Sequence, residues 1–201
     1  MSEKIDVLYV SIKSFPPDGN VNPQNAGIWH NYYLYEGYKT PQDLDWSDDY
    51  SIWCDLLITM ADKNENAGNL PTGSVAYVSK ISEAIKHTNS KDFQPTIDKL
   101  KLIFDELKND VNYNKTSLMA VSSIAYYSSI FWSEVKEVEN GVSFSLRWPR
   151  WVIKLCKDIA GALAGGASGL AVGTFIGGPV GSVVGLGLGI AAGAVGGSAI
   201  S

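Results

Sequence analysis

Few side chains in this chain could do acid–base, nucleophilic or metal chemistry, and their spacing brings none of them together. The two histidines, His30 and His87, lie far apart and neither stands at zinc-ligand spacing from Cys54 or Cys156. No glycine run ends in the Lys-Ser/Thr of a phosphate-binding loop. Gly166-Ala167-Ser168-Gly169 is the nearest approach to a nucleophile elbow, and it has the wrong spacing and no base beside it. The chain is therefore not expected to be an enzyme, and no cofactor, catalytic residue or metal site is expected. His30, beside Trp29, could make a pH-sensitive contact near a membrane, although an ordinary satisfied or exposed helix histidine is the first expectation. Cys54 and Cys156 are expected to be buried free thiols that would pair only if the chain were exported.

The residues whose spacing does carry a physical consequence are glycines. From Ile159 to the end run 43 residues without one Asp, Glu, Lys, Arg or His. Glycine takes every fourth position there: Gly161, Gly165, Gly169, Gly173, Gly177, Gly181, Gly185, Gly189, Gly193 and Gly197. Residues four apart stack along one ridge of a helix, and a ridge without side chains lets two backbones approach closely, as helices do in lipid. In water each interior Gly costs about 1 kcal/mol relative to Ala, so such helices need tight packing to form. Gly177-Gly178-Pro179 divides the stretch into arms of about 18 and 23 residues, roughly 27 and 34 Å of helix, against a hydrocarbon core of about 30 Å. A glycine zipper forming the membrane and oligomer interface is the expectation, with burial inside a soluble form or oligomer as the alternative. A flexible linker fits less well, because Leu163, Leu170, Val172, Phe175, Ile176, Val183, Val184, Leu186, Leu188 and Ile190 replace the polar residues of linkers.

Charge separates this tail from what precedes it. Residues 1–146 carry 12 basic and 20 acidic groups, a balance of −8, while residues 147–201 carry four basic groups and one acid, a balance of +3. An acidic body is a poor nucleic-acid binder, and no nucleic-acid partner is expected. Arg147, Trp148, Arg150, Trp151 and Lys154 stand directly before the apolar run, as interfacial anchors stand where a helix enters a bilayer. The two Trp residues could equally pack against the body. The resulting organisation is an acidic helical body over 1–146, a basic and aromatic interfacial segment over 147–158, and a glycine-zipper hydrophobic hairpin over 159–201. The first residues lack the basic and apolar regions of a signal peptide, so synthesis is expected in the cytoplasm, followed by membrane association or secretion without a classical signal.

The elements that must carry these residues read as all-α: a body of about five helices, then an apolar α-hairpin. Residues 4–13 alternate loosely and suggest a short strand or extended arm. Asn22-Pro23 is an N-terminal helix signal, with Ala26, Trp29 and Tyr33 on one face and Gly37 closing. Ser47 would cap a helix whose buried stripe is Ile52, Trp53, Leu56, Leu57 and Met60. Further helices follow from Ser74 (Val75, Val78, Ile81, Ile85), from Pro95 (Ile97, Leu100, Ile103, Phe104, Leu107, Val111) and from Thr116 or Ser117. The last of these is rich in serine and tyrosine, suited to lining another helix or to bonding back to its own carbonyls. Asn140-Gly141 turns the chain before a brief alternation at Val142, Phe144, Leu146 and Trp148.

Asn22-Pro23-x-x-x-Gly27-x-x-His30-Asn31, then Ser128-Ser129-Ile-Phe-Trp132-Ser, then Lys157-Asp158-Ile-Ala-Gly161 leading into the zipper, resembles a group of uncharacterised Bacteroidetes-type bacterial proteins with an NPxxxGxxHN helix and a C-terminal Gly/Ala-rich tail. The tail is similar to those of class II bacteriocins and some pore-forming toxins, which implies membrane insertion and oligomerisation. The chain departs from bacteriocin precursors in lacking a short double-glycine leader and in carrying a large acidic domain. The expected function is a membrane-inserting, self-associating protein of bacteriocin or pore-forming toxin type; the alternative is a membrane-anchored structural or partner-binding helical module without lytic activity. Expected partners are a lipid bilayer, further copies of the chain, and a protein partner or immunity protein.

Overall fold

The computed structural model describes residues 5–10, 21–38, 42–44, 51–89, 91–139, 142–145 and 150–165. In chain order the elements are β1 (Ile5–Val10), α1 (Ala26–Tyr38), β2 (Gln42–Leu44), α2 (Ser51–Asn66), α3 (Ser74–Lys86), α4 (Gln94–Asn109), α5 (Ser117–Glu134), β3 (Val135–Glu139) and β4 (Val142–Ser145). A sixth helix, α6, covers residues 150–165. The helical body is as expected. The strands add a four-stranded antiparallel sheet of order β2-β1-β3-β4, so the all-α reading describes the body and omits this sheet.

The sheet joins two stretches with a period of two, β1 and β4, to two that show none, β2 and β3. β1 lies where the loose alternation of residues 4–13 places a strand, and it pairs with β3 from Val7↔Val138 to Val10↔Val135. β3 and β4 pair with Glu139 opposite Val142, across the Asn140-Gly141 dipeptide that favours a two-residue hairpin connection. β2 has three residues, too few to show a period, and pairing with β1 is what makes them a strand. β3 begins at the residue after α5 ends, which fixes the sheet to the end of that helix.

The helices stack through stripes that the sequence marks, with two corrections. α3 buries Val78, Ile81 and Ile85, and α4 buries Ile97, Leu100, Ile103, Phe104 and Leu107. Val111 does not continue that stripe: α4 ends at Asn109, and Val111 is 84% exposed in the turn that follows. On α2 the buried face is Cys54, Leu57 and Ala61, whereas Ile52 and Leu56 are exposed. The expected stripe is rotated because α3 and α6 pack on the Cys54 side. There the Cys54 carbonyl accepts a hydrogen bond from Ser82 Oγ at 2.8 Å. The Ser47 cap lies outside the described residues. Gly37 lies inside α1 rather than closing it, since the helix runs on to Tyr38.

Candidate functional site

α6 is the element around which the other helices close. Every residue from 150 to 160 is buried, and within α6 only Ala164 is exposed. A helix enclosed on all sides is ordinarily apolar throughout. This one carries Arg150, Lys154, Lys157 and Asp158 into the interior, at 5%, 1%, 8% and 0% exposure. Ionised groups are tolerated there only with partners, because an uncompensated buried charge costs several kcal/mol. The Lys154 ammonium stands 5.5 Å from the centre of the Trp132 ring, and that of Lys157 stands 5.4 Å from the Trp53 ring. Trp151 stacks on Phe93, with centroids 4.8 Å apart, and its indole N–H donates to the Ser129 carbonyl at 3.3 Å.

Asp158 collects two donors from α5 and faces a side chain of α1. Its Oδ2 accepts from the Ser128 hydroxyl and, at 2.6 Å, from the Trp132 indole N–H, both on α5. From α1, His30 Nε2 comes within 3.6 Å of the same oxygen, with both side chains fully buried. Among the described residues Asp158 Oδ1 has no hydrogen-bond partner. On its far side the imidazole meets Asn31 Oδ1 through Nδ1 at 3.2 Å. Since Asn31 Nδ2 donates to the Tyr127 carbonyl at 2.7 Å, its Oδ1 is left as the acceptor and Nδ1–H is the donor. The arrangement is a three-helix junction of α1, α5 and α6. Although it holds Ser, His and Asp, the serine proton points at the carboxylate rather than at the imidazole, so nothing activates the hydroxyl as a nucleophile.

The NPxxxGxxHN segment is the docking surface of α1 on this junction. Asn22 Oδ1 accepts from the N–H groups of Gln24 and Asn25, forming the turn that launches the helix. Gly27 N–H donates to Ser123 Oγ at 3.0 Å, and that hydroxyl donates to the Gln24 carbonyl at 3.0 Å. A β-carbon on Gly27 would stand 2.2 Å from the Ser123 carbonyl oxygen, so the two backbones meet only because position 27 has no side chain. The serines of α5 divide accordingly. Ser123 and Ser128 reach neighbouring helices, while Ser129 and Ser133 bond back to Tyr126 and Ile130.

On the opposite flank of α6, Cys156 Sγ lies 3.7 Å from Cys54 Sγ of α2, and both thiols are free and buried. The Cys156 S–H, donated to the neighbouring sulfur, holds the Cys54 thiol below its ordinary pKa against the opposing effect of burial, and the Lys86 ammonium assists. Cys156 is pushed well up, first by its hydrogen bond to Cys54 and then by burial.

The residues singled out in the sequence fall as follows. Arg150, Trp151 and Lys154, expected as interfacial anchors, line the interior; of the two placements open to Trp151, packing against the body is the one observed. Gly161 and Gly165 belong to α6, which runs without a break from the basic segment into the start of the zipper. Arg147, Trp148, Gly169, Gly173, Gly177, Gly181, Gly185, Gly189, Gly193 and Gly197 lie outside the described residues. Among the described residues no helix is long and apolar enough to cross a membrane, and no three His, Cys, Asp or Glu side chains converge as metal ligands. Asp158, Ser128 and Trp132 were not expected as a unit. All three stand in the short motifs quoted above, and Asp158 is also the only acid after Glu139, placed where the apolar run begins. Comparison with family models, curated proteins and solved structures yields no match for the chain.

Proposed function

We propose that the chain is a membrane-inserting, self-associating protein of bacteriocin or pore-forming toxin type, whose helical body grips the base of its apolar segment. One observation carries this reading: α6 is held in the core through Asp158 and its neighbours and leads directly into the charge-free, glycine-spaced stretch that begins at Ile159. The body keeps its hold past that carboxylate, since Ile159, Ala162 and Leu163 of the apolar run are buried in its core as well. The glycine spacing supplies the ridge by which copies would associate in a bilayer. The partners on this reading are a lipid bilayer, further copies of the chain and a protein, such as an immunity protein, that covers the apolar segment. The protein would be membrane-associated, or exported by a route without a classical signal.

Dye release from anionic liposomes by the detergent-free full-length chain tests this, alongside Gly173→Leu/Gly185→Leu and a chain ending at Gly165. Release by the full-length chain, weakened by the paired leucines and absent from the shortened chain, is expected. A full-length chain that neither binds nor permeabilises vesicles at neutral or acidic pH, whatever the lipid, overturns the proposal. Tight binding without release selects the second reading, a membrane-anchored structural or partner-binding module. The depth to which α6 is embedded favours that reading, because it ties the apolar segment firmly to a folded domain.

A further inference from the structure

We propose that Cys54 and Cys156 form a reversible disulfide that staples α2 to α6, closed by exchange with a low-molecular-weight disulfide. The two residues are 102 positions apart, yet the fold places their sulfurs 3.7 Å apart on facing helices. A disulfide needs about 2.05 Å, an approach that side-chain rotation and small helix shifts can supply. The surroundings favour one sulfur as nucleophile. The Cys156 S–H first, then the Lys86 ammonium, favour the Cys54 thiolate, while burial and the Asp55 carboxylate oppose it. Ser82 and Cys156 are its other polar neighbours, while Asp158 acts on Cys156 from along α6 and disfavours charge there.

The chemistry balances as two exchanges. The Cys54 thiolate attacks the small disulfide, giving a mixed disulfide on Cys54 and releasing one small thiolate. Cys156 gives its proton to that thiolate and attacks Cys54 Sγ, expelling the second small thiolate and closing the protein disulfide. The protein loses two electrons and the small disulfide is reduced to its two thiols. Access is through α2, since Cys54 sits in the first turn of that helix, where local opening is cheapest. The staple would hold α6, and with it the base of the apolar segment, against the body. That consequence rests on the insertion reading above, whereas the bond itself does not.

The test is made on the reduced full-length chain, incubated under native conditions with glutathione disulfide, quenched by acid and alkylation, and weighed intact and after digestion. The expected product is lighter by two hydrogens, resists alkylation at both cysteines, yields a crosslinked peptide pair containing positions 54 and 156, and melts at a higher temperature until dithiothreitol reverses it. Cys156→Ser should accumulate the glutathione adduct on Cys54. Two alkylatable thiols after prolonged exposure overturn the proposal, as do covalent dimers or an adduct on the unsubstituted chain that never closes. Vesicle permeabilisation is read separately, so failure of the insertion reading leaves these masses unchanged and is told apart from failure of the staple.

Discussion

His30 of α1 faces Asp158 of α6 at 3.6 Å, and the same carboxylate oxygen takes the Ser128 hydroxyl and the Trp132 indole N–H from α5. One acid therefore joins α1, α5 and the helix that leads into the apolar segment. Asp158→Ala would leave the buried Ser128 hydroxyl and Trp132 indole N–H without their acceptor, each costing about 1–3 kcal/mol. The expected loss is about 3–5 kcal/mol in chemical denaturation. Asp158→Asn keeps one acceptor oxygen and should cost less. In both variants the Trp132 indole hydrogen should exchange with solvent faster than in the parent chain.

Gly27→Ala separates packing from propensity. In a helix interior alanine is favoured over glycine by about 1 kcal/mol. Here the added carbon would meet the Ser123 carbonyl oxygen at 2.2 Å and the Tyr127 ring at 2.8 Å. Backbone cannot give way as a side-chain tip does, so α1 must lift from α5, at about 1–3 kcal/mol or more. The melting temperature should fall. A rise would mean that the helices are not in contact at this point.

Glu65 gives the fold an acid limb. Its carboxylate accepts from Gly73 N–H at 2.9 Å and Val75 N–H at 2.8 Å, which satisfies the start of α3 and holds its pKa below the ordinary value, with the Gly73 bond the largest cause. The folded value lies below the unfolded one, so the stabilisation is fully present above the unfolded pKa of about 4.3 and is lost as pH falls through the folded value. Glu65→Gln should lower the melting temperature near neutrality. The gap between the two proteins should narrow as pH falls below the unfolded carboxylate's range and vanish once the parent carboxylate is protonated.

Which parts of this were readable from the chain depends on how local the deciding contact is. The stripes of α3 and α4 repeat within one helix, and the sequence shows them directly. The face of α2 was read one step round, because Ile52 and Leu56 satisfy the same spacing as Cys54, Leu57 and Ala61, and only the positions of α3 and α6 distinguish the two. The NPxxxGxxHN segment stands out as a motif, but the reason for Gly27 lies in a backbone carbonyl on another helix. Trp151 and Lys154 are the sharpest case. A basic, aromatic run before an apolar one has the same composition at a bilayer surface and in a core where lysine stems pack on tryptophan, and in this structure Trp151 stacks on Phe93 and Lys154 stands over Trp132.

The same burial sets where the chain can be cut. Ending it at Trp148 would keep the acidic body and discard all of α6, including Trp151, Leu155, Cys156, Ile159 and Leu163, each no more than 2% exposed. Burying a large apolar side chain contributes about 1.5–3 kcal/mol, so the loss approaches or exceeds the roughly 5–15 kcal/mol that holds a domain folded. His30, Ser128 and Trp132 would lose Asp158 at the same stroke. That chain should show helix without a cooperative melt and should bind a hydrophobic dye. A chain ending at Gly165 keeps every one of these contacts and discards only residues from the apolar run. It should melt cooperatively, and circular dichroism with calorimetry on the two chains checks the pair. If the shorter chain also melted cooperatively at a similar temperature, α6 would be an appendage of the body rather than its centre, and the grip on the apolar segment would have to be sought elsewhere.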